Sequence, residues 1–456
     1  MSDTPILSAL SRYAERKTLR MHMPGHKGQG LFPLDWLLDA TELADTGCLY
    51  DDAPPFSDAN RLAARAWGVP QAMILAGGAT LGIQAMLRYA FGGTENRRLL
   101  VDRGSHKSVY HAMAINDLYP TYLYPDCKGR APFEQIGATF SLELLERTLT
   151  EIAPRAVILT SPTYYGTMHD IAAIAKVVHA HNALLCVDEA HGAHLPFCAG
   201  FSPAVAQGAD MAVCSLHKTL PALTGAALLT FADWIDRAEL SRAAATFGSS
   251  SPSFLIAASA DAARKDAEAS VEVFSAHMQA LQALRTSLAQ SGLATLCADD
   301  CASHLADPLR LTVCSTSIGI SGSDAAERLN QAGIVVEMSD AAHVVCIVTV
   351  ADSECDLARI QDAFTALIPE APRPTPSSPM PIPKIACSPR EAWMAASETI
   401  STSASLGRIS AETVGRYPPG IPIVAPGEMI TEKVAAAFAA DPSAYPTEIR
   451  VLRQNG

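Results

Sequence analysis

Short apolar runs alternate with longer helical patterns along the first half of this chain. From about Arg61 to Thr230 the runs are "AMIL" from Ala72, "RLLV" from Arg98, "AVILT" from Ala156, "LLCV" from Leu184, "MAVCS" from Met211 and "AALLT" from Ala226. A strand that reads as a continuous apolar run is buried on both faces, so the alternation predicts a parallel sheet with helices on either side. A long helix follows, with Phe274, Met278, Leu281, Leu284 and Leu288 at helical spacing and Gly292 as its stop. Beyond it lies a smaller α+β pattern: "LRLTV" from Leu309, a helix opened by Ser323 and closed near Gly333, then "IVVEM" and "VVCIVTV".

Between Pro369 and Pro383 seven of fifteen residues are proline, which predicts an extended linker. From Ser388 helical patterning resumes through "PREAW" and "LGRISAETV", and "RYPPGIPIVAPGE" then fixes a turning path that is expected to pack on the small domain. The resulting division is an N-terminal arm over 1–60, a large domain over 61–262, a connecting helix and small α+β domain over 263–368, a Pro-rich linker over 369–384 and a C-terminal segment over 385–456.

Composition narrows the function classes. With 456 residues, 49% of them hydrophobic, the chain can bury several cores. A formal charge of −13 lacks the clustered Lys and Arg that nucleic acid needs. Eleven scattered cysteines, among them Cys186, Cys214 and Cys346 inside apolar runs, read as core residues of a reducing compartment. Cys297 and Cys301 have no second pair at zinc spacing, so no metal is expected. The N-terminus shows no secretory pattern and no run is long enough to span a bilayer, which makes a cytoplasmic protein without membrane or nucleic-acid partners the expectation.

In open α/β sheets ligands bind beyond the carboxyl ends of the strands, so the residues after each apolar run are the candidates. "AGGATLG" from Ala76 joins a strand to a helix through glycines, a turn that admits a phosphate at a helix N-terminus. "DEAHGAH" puts Asp188 at the next candidate strand end, and "SLHKTLPALTG" puts Lys218 at the following one. A phosphate cup, an acid for a ring nitrogen and a lysine amine together suit pyridoxal 5′-phosphate. Lys107 and Lys27 are rival nucleophiles. Lys218 is preferred because Ser215 and His217 accompany it as phosphate donors and its spacing from Asp188 fits one parallel crossover.

Seven stretches in order, "HMPGHKG", "SHKS", "SPTYYG", "DEAHGAH", "SLHKTLPALTG", "SSSPSFLIAAS" and "YPPGIPIVAPGE", resemble the bacterial ornithine/lysine/arginine decarboxylase family. The resemblance implies an α/β, aspartate-aminotransferase-like fold of PLP type I, with a mostly parallel seven-stranded sheet in the large domain and smaller α+β C-terminal parts. It implies that Lys218 carries the cofactor, Asp188 pairs with the ring nitrogen and His106 stacks on the ring. Ser215 and His217 would hold the phosphate with Gly78, Ala79 and Thr80, and His191 would sit near the ring hydroxyl and the reacting carboxylate. It further implies a homodimer with shared sites, in which Ser250 and Ser251 reach the partner's phosphate. The length resembles the compact, biosynthetic-type members.

Two stretches depart from that pattern: the phosphate turn has few hydroxyls, and the segment before Asn60 offers Tyr50, Asp51 and Asp52 where relatives carry histidines. The expected reaction is PLP-dependent decarboxylation of lysine, ornithine or arginine, giving cadaverine, putrescine or agmatine and carbon dioxide. A PLP-dependent aminotransferase and a catalytically silent regulatory homologue remain as alternatives. Arg310, where an aminotransferase would clamp a carboxylate, is assigned a structural or partner-facing role. Glu337, Glu412 and Glu428 all stand as acceptors for the distal amine, and "HMPGHKG" is placed at the rim of the site.

Overall fold

The computed structural model describes residues 15, 18–27, 39–44, 46–367, 381–415, 422–440 and 445–453. Residues 1–14, 16–17, 28–38 and 45 of the N-terminal arm, most of the Pro-rich linker and 417–421 of the last family motif lie outside them. Strand β1 (Leu19–Met21) comes first. Then β2 (Gln71–Leu75), β3 (Arg98–Asp102), β4 (Tyr119–Leu123), β5 (Ala156–Thr160), β6 (Leu184–Asp188), β7 (Met211–Ser215) and β8 (Ala227–Phe231) build one sheet in the order β2-β8-β7-β6-β5-β3-β4. Every pairing is parallel except the two that β8 makes, with β2 and β7.

Six of the seven strands are the apolar runs read from the sequence. The seventh, β4, is an edge strand with sequence "YPTYL" and an exposed Tyr119, so no continuous apolar run marks it. Successive side chains alternate between two cores: Val157 and Leu159 of β5 face one, Ala156 and Ile158 the other. The helix Gly78–Phe91 lies so close to β7 that a Cβ on Gly82 would overlap Val213. The crossover from β6 to β7 holds a single 3₁₀ turn, Leu195–Phe197, in place of the expected α-helix.

The helix Phe254–Ala269 breaks at Ser270 and continues as Val271–Gln290, which buries Phe274, Leu281, Leu284 and Leu288 and turns off before Gly292 at φ +85°. It leads into a small antiparallel sheet of β9 (Ala294–Thr295), β10 (Arg310–Cys314), β12 (Met338–Ser339) and β13 (His343–Ile347), ordered β12-β13-β10-β9. Strand β11 (Ile334–Val336) pairs in parallel with β1. The helix here, Gly322–Gln331, is capped by Ser321, whose side chain accepts from the Asp324 N–H. Ser323, the expected cap, falls inside the first turn because Ser321 already supplies the extended backbone and the oxygen.

Two expectations for the C-terminal part are corrected. "PREAW" is helical within Pro389–Met394, but "LGRISAETV" is not. Gly407 sits at φ +78° and the Gly407 N–H donates to the Ile430 carbonyl, while Ile430 N–H donates to Arg408; the segment spends its backbone on a neighbouring strand. The C-terminal part also packs on the large domain: Trp393 meets the His111 ring edge-on, Ala425 joins a core of the large sheet, and Glu428 receives Arg103 Nη1 and Nη2 at 2.6 and 3.0 Å. Arg103 is wholly buried under the rings of Tyr110, Tyr122 and Tyr124.

Removing one member of such a pair strands a buried charge, at a cost of about 3–5 kcal/mol, whereas replacing both with apolar side chains is often near neutral. Glu428→Ala should therefore lower the urea midpoint sharply and Arg103→Met with Glu428→Leu should recover most of it, as followed by tryptophan fluorescence. A second prediction concerns the small sheet. Burial lowers the His343 pKa, but its hydrogen bond to Asp340 outweighs this and raises it from 6.5 to about 9. The pair's contribution, on the order of 3 kcal/mol, is complete below the unfolded value and lost as pH rises through the folded one. Wild-type stability should fall across that window, and His343→Gln should flatten the fall.

Candidate active site

Four strand ends meet on one edge of the large sheet. After β2 the chain turns through Gly77 and Gly78, with Gly78 at φ +70°, open space where a Cβ would stand, and its N–H spent on the Gly225 carbonyl at 2.7 Å. The amides of Ala79 and Thr80 then open the helix without intrahelical acceptors. After β3, His106 caps the helix Lys107–Asn116. Asp188 ends β6 and Ser215 ends β7, where the short helix Leu216–Thr219 carries Lys218.

A chain of polar contacts fixes the protonation of this cluster. His194 Nε2 lies 2.8 Å from Asp307 Oδ1, and Asp307 Oδ2 lies 3.6 Å from Arg310 Nη2. Arg310 Nη2 is 3.1 Å from His191 Nδ1, and His191 Nε2 is 3.0 Å from Lys218 Nζ. A guanidinium only donates, so Nδ1 of His191 accepts and the ring proton sits on Nε2. That proton points at Lys218 Nζ, which accepts it only as a neutral amine. Burial pushes the Lys218 pKa down, against the pull of Asp188, and burial, joined by the Arg310 guanidinium, pushes His191 well down. Asp307, pulled down to about 2 by His194 and Arg310 despite burial, stays ionised.

Asp188 is 2% exposed, and its Oδ1 accepts from Ala190 N–H at 3.1 Å. Desolvation raises its pKa, with Lys218 opposing. Such a carboxylate suits a buried N–H partner. His106 takes Ser108 N–H and Oγ at Nδ1; desolvation above all lowers it to about 4, so the ring is neutral. His217 Nδ1–H donates to the Ala226 carbonyl at 3.0 Å, which leaves Nε2 an acceptor until the ring is protonated. The buried hydroxyls of Ser105, Thr160 and Thr219 and the Nε and Nη1 of Arg310 have no hydrogen-bond partner among the described residues. Unpartnered donors after β3, at the end of β5, after β7 and beside His191, together with the free amides after the glycine turn, fit an anionic group.

The edge thus brings together Lys218, His191, Asp188, Ser215 and His217, with the glycine turn after β2 and His106 after β3 on the same edge. It also brings in two residues that the sequence reading placed elsewhere or left open. Arg310, assigned a structural or partner-facing role from the sequence, is 2% exposed, pairs with Asp307 and touches His191; a charge opening an apolar strand was the available signal. Glu337 accepts from Tyr164 Oη and, at 2.8 Å, from Met23 N–H, and the Tyr164 ring lies 4.8 Å from that of His191. Glu412 binds the Arg450 amide and Glu428 binds Arg103, which removes both from the site. Glu189, pushed up to about 8 by desolvation, turns inward to the Ala204 amide.

The rival lysines separate clearly: Lys107 is exposed, and Lys27 is enclosed by carbonyl oxygens. Ser250 and Ser251 are exposed on the loop before Ser253. Tyr50, Asp51 and Asp52 line a cleft of about 730 Å³ that shares no residue with the Lys218 cluster. Among the described residues no His/Cys/Asp/Glu group could hold a metal and no helix is long and apolar enough to cross a membrane.

Comparison with known proteins gives one answer. The family model for the Orn/Lys/Arg decarboxylase major domain matches residues 4–297, and that for the C-terminal domain of the same family matches 377–439. The arginine decarboxylase of Bacillus subtilis is 29% identical over 94% of this chain and 92% of its own length. That of Halalkalibacterium halodurans is 30% identical over 94% and 91%. The solved structure of lysine decarboxylase A from Pseudomonas aeruginosa superposes with a TM-score of 0.75 at 16% identity, over 98% of this chain and 82% of that one.

A neutral Lys218 has a chemical signature. With limiting amine-acylating reagent at neutral pH, peptide mapping should find Lys218 modified ahead of exposed Lys107. Preferential modification of Lys107 would mean that Lys218 is protonated.

Proposed function

The chain belongs to the Orn/Lys/Arg decarboxylase family, and on that footing we propose that it releases the α-carboxylate of a basic amino acid as carbon dioxide, using pyridoxal 5′-phosphate held at Lys218. The observation that carries this reading is the buried Lys218 amine, 3.0 Å from His191, in the short helix that follows the strand next to that of the buried Asp188. When bound, the cofactor supplies the electron sink for the pair left as the carbon–carboxylate bond breaks.

The chain's own residues do the rest. The Ala79 and Thr80 amides, Ser215 and a protonated His217 hold the phosphate, while Gly78 gives the backbone room to approach it. Asp188 accepts the ring N–H, and His106 covers the ring from beyond the end of β3. His191 and Arg310 face the reacting carboxylate, and the His191 Nε2–H to Lys218 Nζ contact is the path by which a proton reaches the carbon that has lost its carboxylate. Glu337 meets the distal cation, with Tyr164 holding its carboxylate in place. Arginine comes first among the substrates, because the relatives at about this identity over nearly full length bear that name. Ser250 and Ser251, exposed on one protomer, complete the phosphate site of the partner in a homodimer.

Arg310 also favours a second reading. Its unpartnered Nε and Nη1 are what an aminotransferase would aim at a carboxylate that stays in place. One assay separates the two: arginine, lysine and ornithine are offered side by side, and agmatine, cadaverine, putrescine and keto acids are quantified. Carbon dioxide with the matching amine is expected, abolished in Lys218→Ala and lowered about 10²–10⁴-fold in His191→Asn. Glu337→Gln should lower kcat/KM by roughly 10–100-fold, the value of a charged hydrogen bond. Keto acid without carbon dioxide would replace this reading with the aminotransferase.

A further inference from the structure

The stretch His22 to Lys27 has no part in the reaction above, yet it joins the two domains at the site. Strand β1 pairs with β11 of the small domain, and Met23 N–H then donates to Glu337 Oε2. The chain crosses to the large domain, where Gly25 N–H donates to the His217 carbonyl at 2.7 Å. The approach is tight: a Cβ on Gly25 would stand 2.9 Å from Leu220 N and from the Thr219 carbonyl carbon. The Gly25 carbonyl accepts Thr349 Oγ1 at 2.8 Å, back on the small domain.

Lys27 closes this strap. Its side chain is 5% exposed, and Nζ lies 2.5 Å from the Arg20 carbonyl, 2.9 Å from the Ile347 carbonyl at the end of β13, and 3.8 Å from Asp352. Asp352 accepts in turn from Thr349 N–H at 2.7 Å and Thr349 Oγ1 at 3.3 Å. Lys27 holds φ +51°, a conformation that side-chain-bearing residues seldom keep without outside contacts. The far end of the strap is the carbonyl of the residue before Lys218, in a helix of only four residues. So short a helix has little rigidity of its own, and its placement follows from what grips it.

We propose that Lys27 is a positioning residue: its ion pair with Asp352 locks the His22–Lys27 strap and, through Thr349, Gly25 and the His217 carbonyl, fixes Lys218 relative to Glu337 and Arg310 of the small domain. This rests on the decarboxylase reading for its activity readout. Lys27→Met keeps the length of the side chain and removes its charge, and Thr349→Val keeps shape and removes the hydroxyl. Both are compared with wild type as holoenzyme for kcat, KM, cofactor content, visible circular dichroism of the bound cofactor and melting temperature.

Each variant should lose roughly tenfold or more in kcat with KM changed less than about threefold, since a displaced reacting group costs turnover before binding. The cofactor's dichroism should change at unchanged content, and the double variant should be little worse than the worse single one, the mark of two residues on one path. Unchanged kcat and dichroism, whatever the melting temperature, or fully additive losses, would overturn the proposal. If Lys27→Met does not fold, Thr349→Val decides by the same turnover and dichroism criteria. The wild type run alongside separates the two readings: failure to release carbon dioxide contradicts the reaction, while the dichroism reports on the strap whatever the substrate.

Discussion

A lysine enclosed by protein, hydrogen-bonded to a histidine whose other nitrogen is already taken by an arginine, has to give up its proton. That constraint organises the site. Arg310 can only donate, so His191 must place its own proton on the side of Lys218, and Lys218 must meet it with a lone pair. Each link is held from behind: Asp307 orients Arg310, and His194 orients Asp307. Both histidines of "DEAHGAH" are thereby explained, one touching the lysine and one four contacts away from it.

The fold delivers these groups because they come from different parts of one sheet edge and from the small sheet beside it. Asp188 and Ser215 end neighbouring parallel strands, while Arg310 opens β10 of the small sheet and Glu337 lies between β11 and β12. A site shared by two domains works only when the domains keep their spacing. The strap from His22 to Lys27 touches both, and the C-terminal part is tied to the large domain through Glu428 and Arg103, directly after β3 and two residues before Ser105.

Much of this was legible in the sequence. Six of seven strands of the large sheet announce themselves because a strand buried on both faces must be apolar throughout, and the residues that follow them are the site. The edge strand β4 was not legible, since Tyr119–Leu123 is covered on too little of its surface to need apolar side chains. Local capping misled by two residues at Ser321, because several serines in a row each satisfy the pattern and only backbone geometry chooses. Arg310 was given another role and Glu337 was left open among three acids for a different reason: their meaning lies in contacts across more than a hundred residues, with His191 and Tyr164, which periodicity and spacing do not encode.

The central claim is that Lys218 is the neutral amine that takes the cofactor. The most direct measurement is to load the chain with pyridoxal 5′-phosphate, reduce it with borohydride and locate the pyridoxyl-lysine by peptide mass spectrometry. This account predicts a single modified peptide containing Lys218. Modification at Lys107 or Lys27 in its place would contradict it.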